Sequence, residues 1–297
     1  MSCPDCFRGN TSTSLPIGKE MIIHGIPTYV SGPHMDLTPR AIIVFISDVF
    51  GWKSINNRIL ADRYATKGQF LVYVPDFMNG HAVDSSAMEL FDEIVRPSGW
   101  FDTVAKKPFR VMRAMGMVVP FLLSCSINAT HPRVVSFIRK IRASPPPFAT
   151  KSLKVGGAGF CWGGKHLMML AQDAETSGVE RRGSQIDTTP GNTQPFLDFA
   201  FVAHPVMIQV PVDIEAVKVP LSVSVGDVDI ALKKAQAQQA KKILESKEAG
   251  RHEMFIIPGA KHGFAIRGHP NDKAEMEYAD QAEAQALAWF VKWSATS

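Results

Sequence analysis

A cysteine lies between two glycines in the segment Gly159-Phe160-Cys161-Trp162-Gly163, where a short apolar run ends and a helical pattern begins. A thiolate is a strong nucleophile, and a sharp strand-to-helix turn places such a group above the edge of a sheet. The flanking glycines permit that turn, because a Cβ at either position would collide with the packed strand and helix. The pentapeptide alone leaves two interpretations open, a nucleophile and a buried structural cysteine.

Candidates for an acid and a base follow further along the chain. Residues 221–225 are a short run with β-branched residues, and Gly226-Asp227-Val228-Asp229 follows it, so a carboxylate lies just beyond a predicted strand. His262 lies on the loop after the next predicted strand, residues 252–257. Ligand sites of open α/β sheets lie beyond the carboxyl ends of the strands. We therefore expect Cys161, an aspartate and His262 to meet there, in the order that α/β-hydrolases use.

With these motifs the chain resembles the dienelactone hydrolases, the cysteine-dependent branch of the α/β-hydrolases, over residues 40–292. The resemblance rests on Gly-Phe-Cys-Trp-Gly-Gly at 159–164, Gly-x-x-Asp at 226–229, His-Gly-Phe at 262–264 and Ser-Asp-Val-Phe-Gly at 47–51. The family usually has Glu where this chain has Asp48, and Asp48 together with the opening Ser-Cys-Pro-Asp-Cys resembles eukaryotic, especially fungal, members. The resemblance implies an α/β-hydrolase fold, with a mostly parallel central sheet and helices on both faces.

The resemblance also implies a role for each candidate. Cys161 is the expected nucleophile, His262 takes its proton, and Asp229 orients the imidazole and stabilises its charged form. Asp227 competes with Asp229 for the last role, and the family's Gly-x-x-Asp spacing selects Asp229.

An oxyanion hole and an unusual carboxylate complete the expected site. The fold supplies the backbone N–H of Trp162, after the nucleophile, and one from the loop after an early strand, here Val49. Asp48 has two interpretations. In the family the corresponding carboxylate resembles a switch that contacts the resting thiol; alternatively, Asp48 is a strand-end aspartate that fixes its loop.

Two further residues are candidates for substrate contacts. Arg267 resembles the family's arginine for a substrate carboxylate, although it is displaced by one residue, and the second such arginine is missing after Pro75-Asp76. This departure puts dienelactone itself in doubt as the substrate. His204 follows a predicted strand and is either part of the pocket wall or part of a structural turn.

The chain alternates strands and helices, which predicts a mostly parallel sheet. An antiparallel lead-in is expected at 21–30, with a turn at Gly25. We predict strands at 41–46, 69–74, 199–203, 221–225 and 252–257, and helices at 54–67, 87–95, 131–142, 164–174, 230–248 and 272–292. Residues 96–128 and 176–195 break this rhythm, and the polar composition of 176–195 predicts a surface loop.

Length and composition fit one domain. The chain has 297 residues, of which 45% are hydrophobic and 20% charged, and α/β folds of about 200–250 residues are commonly single domains. We expect one α/β-hydrolase domain over 1–297, with 1–16 a mobile N-terminal segment and 176–195 a loop insertion. The net charge of +4 comes from scattered basic residues, so we do not expect nucleic-acid binding.

Neither membrane nor metal binding is expected. The longest apolar stretch, residues 115–123, contains Pro120 and is too short to span a bilayer. No signal peptide is recognisable, so we expect a cytosolic protein, monomeric or homodimeric, without a membrane partner. Cys3 and Cys6 form a Cys-x-x-Cys, which is half of a zinc site, a redox pair or an incidental pair. Cys125 is expected in the core, and the histidines lack metal-ligand spacing, so we predict no metal and no cofactor.

Two functions from different classes remain. The first is a cysteine hydrolase that cleaves small esters or lactones through a thioester acyl-enzyme. The second is a non-catalytic protein of the same fold that binds a small ligand or senses oxidants through Cys161. The combination of nucleophile, acid, base and oxyanion loop favours the hydrolase, because a binding protein needs no such set.

Overall fold

The computed structural model describes residues 15–34, 36–95, 106–172, 179–180, 193–269 and 271–295. Its strands are β1 (Lys19–Ile23), β2 (Ile26–Ser31), β3 (Ile42–Ile46), β4 (Leu71–Pro75), β5 (Val155–Phe160), β6 (Val179–Glu180), β7 (Thr193–Gln194), β8 (Phe199–Ala203), β9 (Leu221–Gly226) and β10 (His252–Ile257). Its helices are α1 (Ile55–Gly68), α2 (Ser86–Val95), α3 (Lys107–Ser124), α4 (Ile127–Ala143), α5 (Trp162–Ala171), α6 (Val212–Glu215), α7 (Lys234–Glu245), α8 (Phe264–Arg267) and α9 (Lys273–Ser294).

An eight-stranded sheet with the order β1-β2-β4-β3-β5-β8-β9-β10 forms the centre of the fold. β1 and β2 are antiparallel additions at one edge, and every neighbouring pair from β4 to β10 is parallel. The carboxyl ends of β3, β5, β9 and β10 therefore lie along the same edge of the sheet, which brings the loops that follow them together.

Hydrophobic cores cover both faces of the sheet. In β3, Val44 and Ile46 belong to one core and Ile43 and Phe45 to the other, because successive side chains of a strand point to opposite faces. All residues of β3, β5 and β8 are buried, as expected for parallel strands between helical layers. The predicted α/β-hydrolase architecture is confirmed.

Three helices, α3 and the short α6 and α8, lie where the sequence predicts none, and α4 and α7 each begin four residues away from their predicted starts. The irregular stretch 96–128 contains α3, which has a proline in its first turn and Pro120 in its interior. α4 begins at Ile127, four residues before the prediction, because the side chain of Ser126 accepts a hydrogen bond from the N–H of Ala129 and caps the helix. α7 begins at Lys234, later than expected, since Asp229 holds the preceding residues in a turn.

Several predictions fall wholly or partly outside the described residues. Outside the description lie Cys3, Cys6 and most of the segment 1–16. Most of 176–195 also lies outside it, and the described part contains β6 and β7, which pair antiparallel. Cys125 is buried, as predicted. No single described helix has the length and apolar character needed to cross a membrane; α3 and α4 satisfy that test only when taken as one pair, which is bent by 63°.

Candidate active site

The candidate nucleophile sits on a strained turn between β5 and α5. Cys161 has φ 51° and ψ −113°, a backbone conformation that residues with a side chain rarely adopt. A Cβ at Gly159 would lie 2.8 Å from the carbonyl oxygen of Gly163, and a Cβ at Gly163 would collide with the carbonyl of Ile46. Both flanking glycines are therefore required by close packing. Cys161 itself is completely buried.

His262 and Asp229 form a buried pair on the two loops that follow β10 and β9. The Nδ1 atom of His262 lies 2.9 Å from Oδ2 and 3.1 Å from Oδ1 of Asp229. Oδ1 also accepts a hydrogen bond of 2.8 Å from the N–H of Ala231, which fixes the carboxylate. With Nδ1 engaged by Asp229, the second ring nitrogen, Nε2, is the atom available for chemistry.

The electrostatic surroundings favour a charged His262. Burial lowers its pKa, but the charge of a Cys161 thiolate and the hydrogen bond with Asp229 outweigh burial and raise the pKa to about 10. The structure thus places the thiol of Cys161 close enough to His262 to interact with its imidazole. The raised pKa depends on the negative charge of Cys161, so the imidazole gains its proton together with the formation of the thiolate.

Asp227 has other partners. Its Oδ2 lies 3.0 Å from Nζ of Lys234, and its Oδ1 accepts a hydrogen bond of 2.7 Å from the N–H of Gly259. These contacts lower the pKa of Asp227, chiefly through the Gly259 N–H. Asp229, not Asp227, is the aspartate in contact with His262.

Asp48 is fully buried at the end of β3, where three groups contact its carboxylate. Oδ1 accepts hydrogen bonds from the side-chain amide of Asn57 at 2.9 Å and from the N–H of Phe50 at 3.2 Å. Oδ2 lies 3.4 Å from Nε of Arg267. Burial raises the pKa of Asp48 above its usual value, Arg267 opposes this, and a thiolate at Cys161 raises the pKa further.

Arg267 lies at the end of α8 and is only 3% exposed. Its guanidinium stacks on the ring of Phe50, 5.5 Å from the ring centroid, in addition to its contact with Asp48. A surface cleft of about 470 Å³ borders Arg267, His262 and Tyr278, and Cys161 is not among its lining residues. Arg267 therefore connects the loop that carries Asp48 with the wall of this cleft.

His204 lies next to His262, with the ring centroids 5.0 Å apart and the planes at 72°. It is completely buried, and neither of its ring nitrogens has a hydrogen-bond partner among the described residues. Burial, followed by the charges of His262 and Arg267, lowers its pKa well below the usual value. A neutral His204 ring thus packs edge-on against the imidazole of His262.

The two predicted oxyanion donors have unused N–H groups. Val49 follows Asp48, and Trp162 begins α5. Within the described chain, no hydrogen bond involves the backbone N–H of either residue as donor. The indole N–H of Trp162 donates to the carbonyl of Cys125 at 2.9 Å, so the side chain of Trp162 is anchored separately from its backbone.

Two buried side chains next to the site carry no signal in the sequence. Asn57 donates to Asp48 and to the carbonyl of Gly51, and it lies on α1, where its spacing from Asp48 follows no motif. His166, four residues after Trp162 on α5, packs against the Trp162 ring at 4.2 Å between ring centroids. Among the described residues, no group of three or more His, Cys, Asp or Glu side chains could hold a metal ion.

A parallel sheet with a strained strand-to-helix turn at Cys161, and an Asp-His pair on two later loops, define an α/β-hydrolase. A model of the dienelactone hydrolase family matches residues 26–180 and 183–296. The chain belongs to this family, as its motifs indicated, and is a hydrolase.

Fungal relatives match along nearly the whole chain. Hydrolase pyvD of Aspergillus violaceofuscus is 26% identical over 97% of this chain and 95% of that protein. Dienlactone hydrolase 1 of Gibberella moniliformis is 22% identical and covers 98% of this chain and 93% of that protein. The predicted resemblance to fungal members is confirmed.

Solved structures support the fold. The structure of a putative dienelactone hydrolase from Klebsiella pneumoniae superposes with a TM-score of 0.57 at 18% identity, covering 93% of this chain and 99% of that one. A dienelactone hydrolase from Anabaena variabilis gives a TM-score of 0.53 at 16% identity, covering 93% and 97%.

Proposed function

We propose that this chain is a cysteine hydrolase that cleaves small esters or lactones through a thioester acyl-enzyme, with Cys161, Asp229 and His262 as the catalytic residues. The observation that carries the proposal is the buried Asp229-His262 pair beside Cys161, which itself has a strained backbone. Strain of this kind costs about 1–3 kcal/mol and persists at functional sites. A residue whose only role is packing has no need of such a conformation.

The first step transfers the thiol proton of Cys161 to Nε2 of His262. The resulting thiolate and imidazolium stabilise each other, since the thiolate charge is the largest of the effects that raise the pKa of His262. Asp229 accepts the hydrogen bond from Nδ1 and keeps the imidazole oriented. The sulfur then attacks the carbonyl carbon of the ester and forms a tetrahedral intermediate.

The negative oxygen of that intermediate requires hydrogen-bond donors that are already in place. The unused N–H groups of Val49 and Trp162 are suited to this role. Collapse of the intermediate breaks the C–O bond of the ester, and the leaving alkoxide takes the proton from Nε2. His262 then removes a proton from water, the hydroxide attacks the thioester carbonyl, and the acid product leaves as the thiol of Cys161 re-forms.

The contacts of Asp48 favour the loop-fixing interpretation over the switch. A switching motion would break the hydrogen bonds with Asn57 and Phe50 and the ion pair with Arg267. Because Asp48 precedes Val49 directly, the same contacts hold an oxyanion donor in position. We therefore assign Asp48 to positioning the Val49 N–H.

Rapid-mixing kinetics with p-nitrophenyl acetate test the proposal. The protein should release a burst of p-nitrophenol with an amplitude close to one per active site, followed by slower turnover, and mass spectrometry of the quenched reaction should locate the acetyl group on Cys161. Cys161→Ala should abolish both signals, and Cys125→Ala should keep them. A burst that survives in Cys161→Ala would overturn the proposal, and a wild type without burst or turnover would favour the ligand-binding alternative.

A further inference from the structure

α3 exposes more large apolar side chains than any other helix in the described chain. They are Phe109, Val111, Met112, Met115, Val119, Leu122 and Leu123. Only Ala114, Val118 and Phe121 are buried on this helix. Leu122 is 50% exposed and Leu123 is 79% exposed, so the apolar surface extends around most of the helix near its C-terminus.

Such a surface normally has a partner. A helix that is apolar around most of its circumference is stable in water only when another surface covers it. Contiguous exposed apolar patches of this kind mark sites of interaction with proteins or membranes. The buried residues Val118 and Phe121 already hold α3 against the core, so the exposed side chains are in excess of what its packing requires.

The charges on and next to α3 indicate the chemistry of the partner. Residues 106–124 contain basic residues and no acidic one. Arg110 pairs with Glu93 of α2, with 3.0 Å between Nε and Oε2, whereas Lys106 and Arg113 are exposed. An apolar helix face flanked by lysine and arginine is typical of helices that lie in the surface layer of anionic membranes.

A second copy of the chain fits this surface less well. In a symmetric contact between two α3 helices, both sets of basic residues would enter the interface without an acidic residue from either helix. An anionic lipid layer offers negative headgroups next to acyl chains, and it can surround a helix exposed on several sides.

We propose that α3 docks onto the surface of anionic membranes. Phe109, Met112, Leu122 and Leu123 enter the boundary between headgroups and acyl chains, while Lys106 and Arg113 contact the lipid headgroups. The helix lies on the membrane and does not cross it. This proposal revises the sequence-based expectation that the protein has no membrane partner, and it agrees with a cytosolic location because the cytoplasmic leaflet is anionic.

The docking helix is attached to the candidate active site. The ring of Phe121 packs at 6.2 Å from that of Trp162, and the carbonyl of Cys125, just after α3, accepts the indole hydrogen bond of Trp162. A docked α3 therefore brings the nucleophile turn near the lipid layer. Given the proposed function, esters with apolar groups that partition into membranes would reach the site directly.

Sedimentation with vesicles tests the docking without any substrate, so its outcome is independent of the proposed hydrolase activity. The intact protein should sediment with vesicles of phosphatidylcholine and phosphatidylserine at 3:1. Binding should be several-fold weaker with phosphatidylcholine alone, and weaker at 0.5 M salt than at low salt, since salt screens the basic residues. Leu122→Gln/Leu123→Gln should weaken binding to the anionic vesicles by about tenfold or more, and Arg113→Gln by about fivefold.

Met21→Gln/Ile22→Gln is the matched control, because these adjacent residues of β1 are 50% and 68% exposed on another element. It should bind like the wild type, and circular dichroism should show that all variants are folded. Absence of wild-type binding to anionic vesicles, or equal binding of Leu122→Gln/Leu123→Gln, would overturn the proposal. It would also fail if light scattering showed a wild-type dimer that Leu122→Gln/Leu123→Gln converts to a monomer, because a second copy would then cover this face.

Discussion

Nε of Arg267 lies 3.4 Å from Oδ2 of Asp48, and the side chain of each residue is only 1% exposed. The pair joins α8 to the loop after β3, so it couples the element following His262 to the loop that carries Val49. Removal of one member of a buried ion pair leaves an uncompensated charge, at a cost of about 3–5 kcal/mol. We expect Arg267→Ala to lower the free energy of unfolding by an amount of this order, measured by urea denaturation.

A double variant separates the charge effect from lost packing. In Asp48→Asn/Arg267→Ala the buried carboxylate is replaced by a neutral amide, whose oxygen can still accept hydrogen bonds from Asn57 and the N–H of Phe50. The double variant should therefore be more stable than Arg267→Ala alone. If the double variant is equally or less stable, the ion pair with Asp48 does not account for the contribution of Arg267 to the free energy of unfolding.

Asp229 and Asp227 form a natural pair of test and control. Asp229→Asn should reduce turnover of a small ester by about 10⁴-fold, as in the serine-hydrolase template, because the imidazole of His262 loses its orienting carboxylate. Asp227→Asn should change turnover by less than about tenfold, since the carboxylate of Asp227 contacts Lys234 and the loop N–H of Gly259 and not His262. Steady-state kinetics of both variants decide the matter, and a larger loss at Asp227 would reverse the assignment.

The pair of aspartates also illustrates what the sequence can predict. A motif selects Asp229, and the structure brings that residue to His262. The strands around it are predictable as well, because β-branched and apolar runs bounded by glycine and proline specify buried parallel strands. The motifs thus locate Cys161, Asp229 and His262, whose positions follow from the ends of three strands.

Contacts between distant segments are not predictable in this way. Asn57 binds Asp48 because α1 packs beside the loop after β3, and nothing in the spacing of the two residues reveals that contact. Because Arg267 follows His262 closely, the sequence suggests that Arg267 binds a substrate carboxylate. Its contact with Asp48 depends on how α8 folds back towards Phe50, which the sequence does not reveal. The sequence does not predict α3, because Pro120 and the irregular composition around it obscure the helical pattern.

His166 gives the protein a specific sensitivity to acid. Its Nε2 lies 3.1 Å from the hydroxyl of Thr130, and its Nδ1 lies 3.1 Å from Nδ1 of His131. Burial, then the charges of His131 and Lys165, lower its pKa from 6.5 to about 3. The folded state therefore binds fewer protons at this ring than the unfolded chain does between pH 3 and 6.5, so the stability it contributes is complete above pH 6.5 and is lost as the pH falls.

His166→Gln tests this dependence, because Gln keeps hydrogen-bonding groups but does not titrate. Between pH 6.5 and 4, the urea midpoint of the variant should fall less steeply than that of the wild type. His252, whose pKa burial lowers to about 4, is present in both proteins and cancels in the comparison. Parallel slopes for the two proteins would show that His166 does not contribute.

The charge of a substrate affects how well this site can bind it. Dienelactone carries a carboxylate, and a buried site can hold such a group only with a cation or several hydrogen-bond donors. Arg267 is already engaged with Asp48. Where an arginine would follow Pro75-Asp76, the chain has the buried apolar residues Phe77 and Met78. We therefore expect kcat/KM for a neutral short-chain ester or lactone to equal or exceed that for dienelactone.

Arg267→Ala extends this test. The quantity to compare between the variant and the wild type is the ratio of kcat/KM for dienelactone to kcat/KM for the neutral ester. The ratio does not depend on the fraction of folded enzyme, so the expected loss of stability does not affect it. If Arg267 shifts towards an anionic substrate during turnover, the variant should lose more activity on dienelactone than on the neutral ester. A wild type that prefers dienelactone by more than about 100-fold, with a ratio unchanged in Arg267→Ala, would mean that a different basic residue binds the carboxylate and that the substrate prediction is wrong.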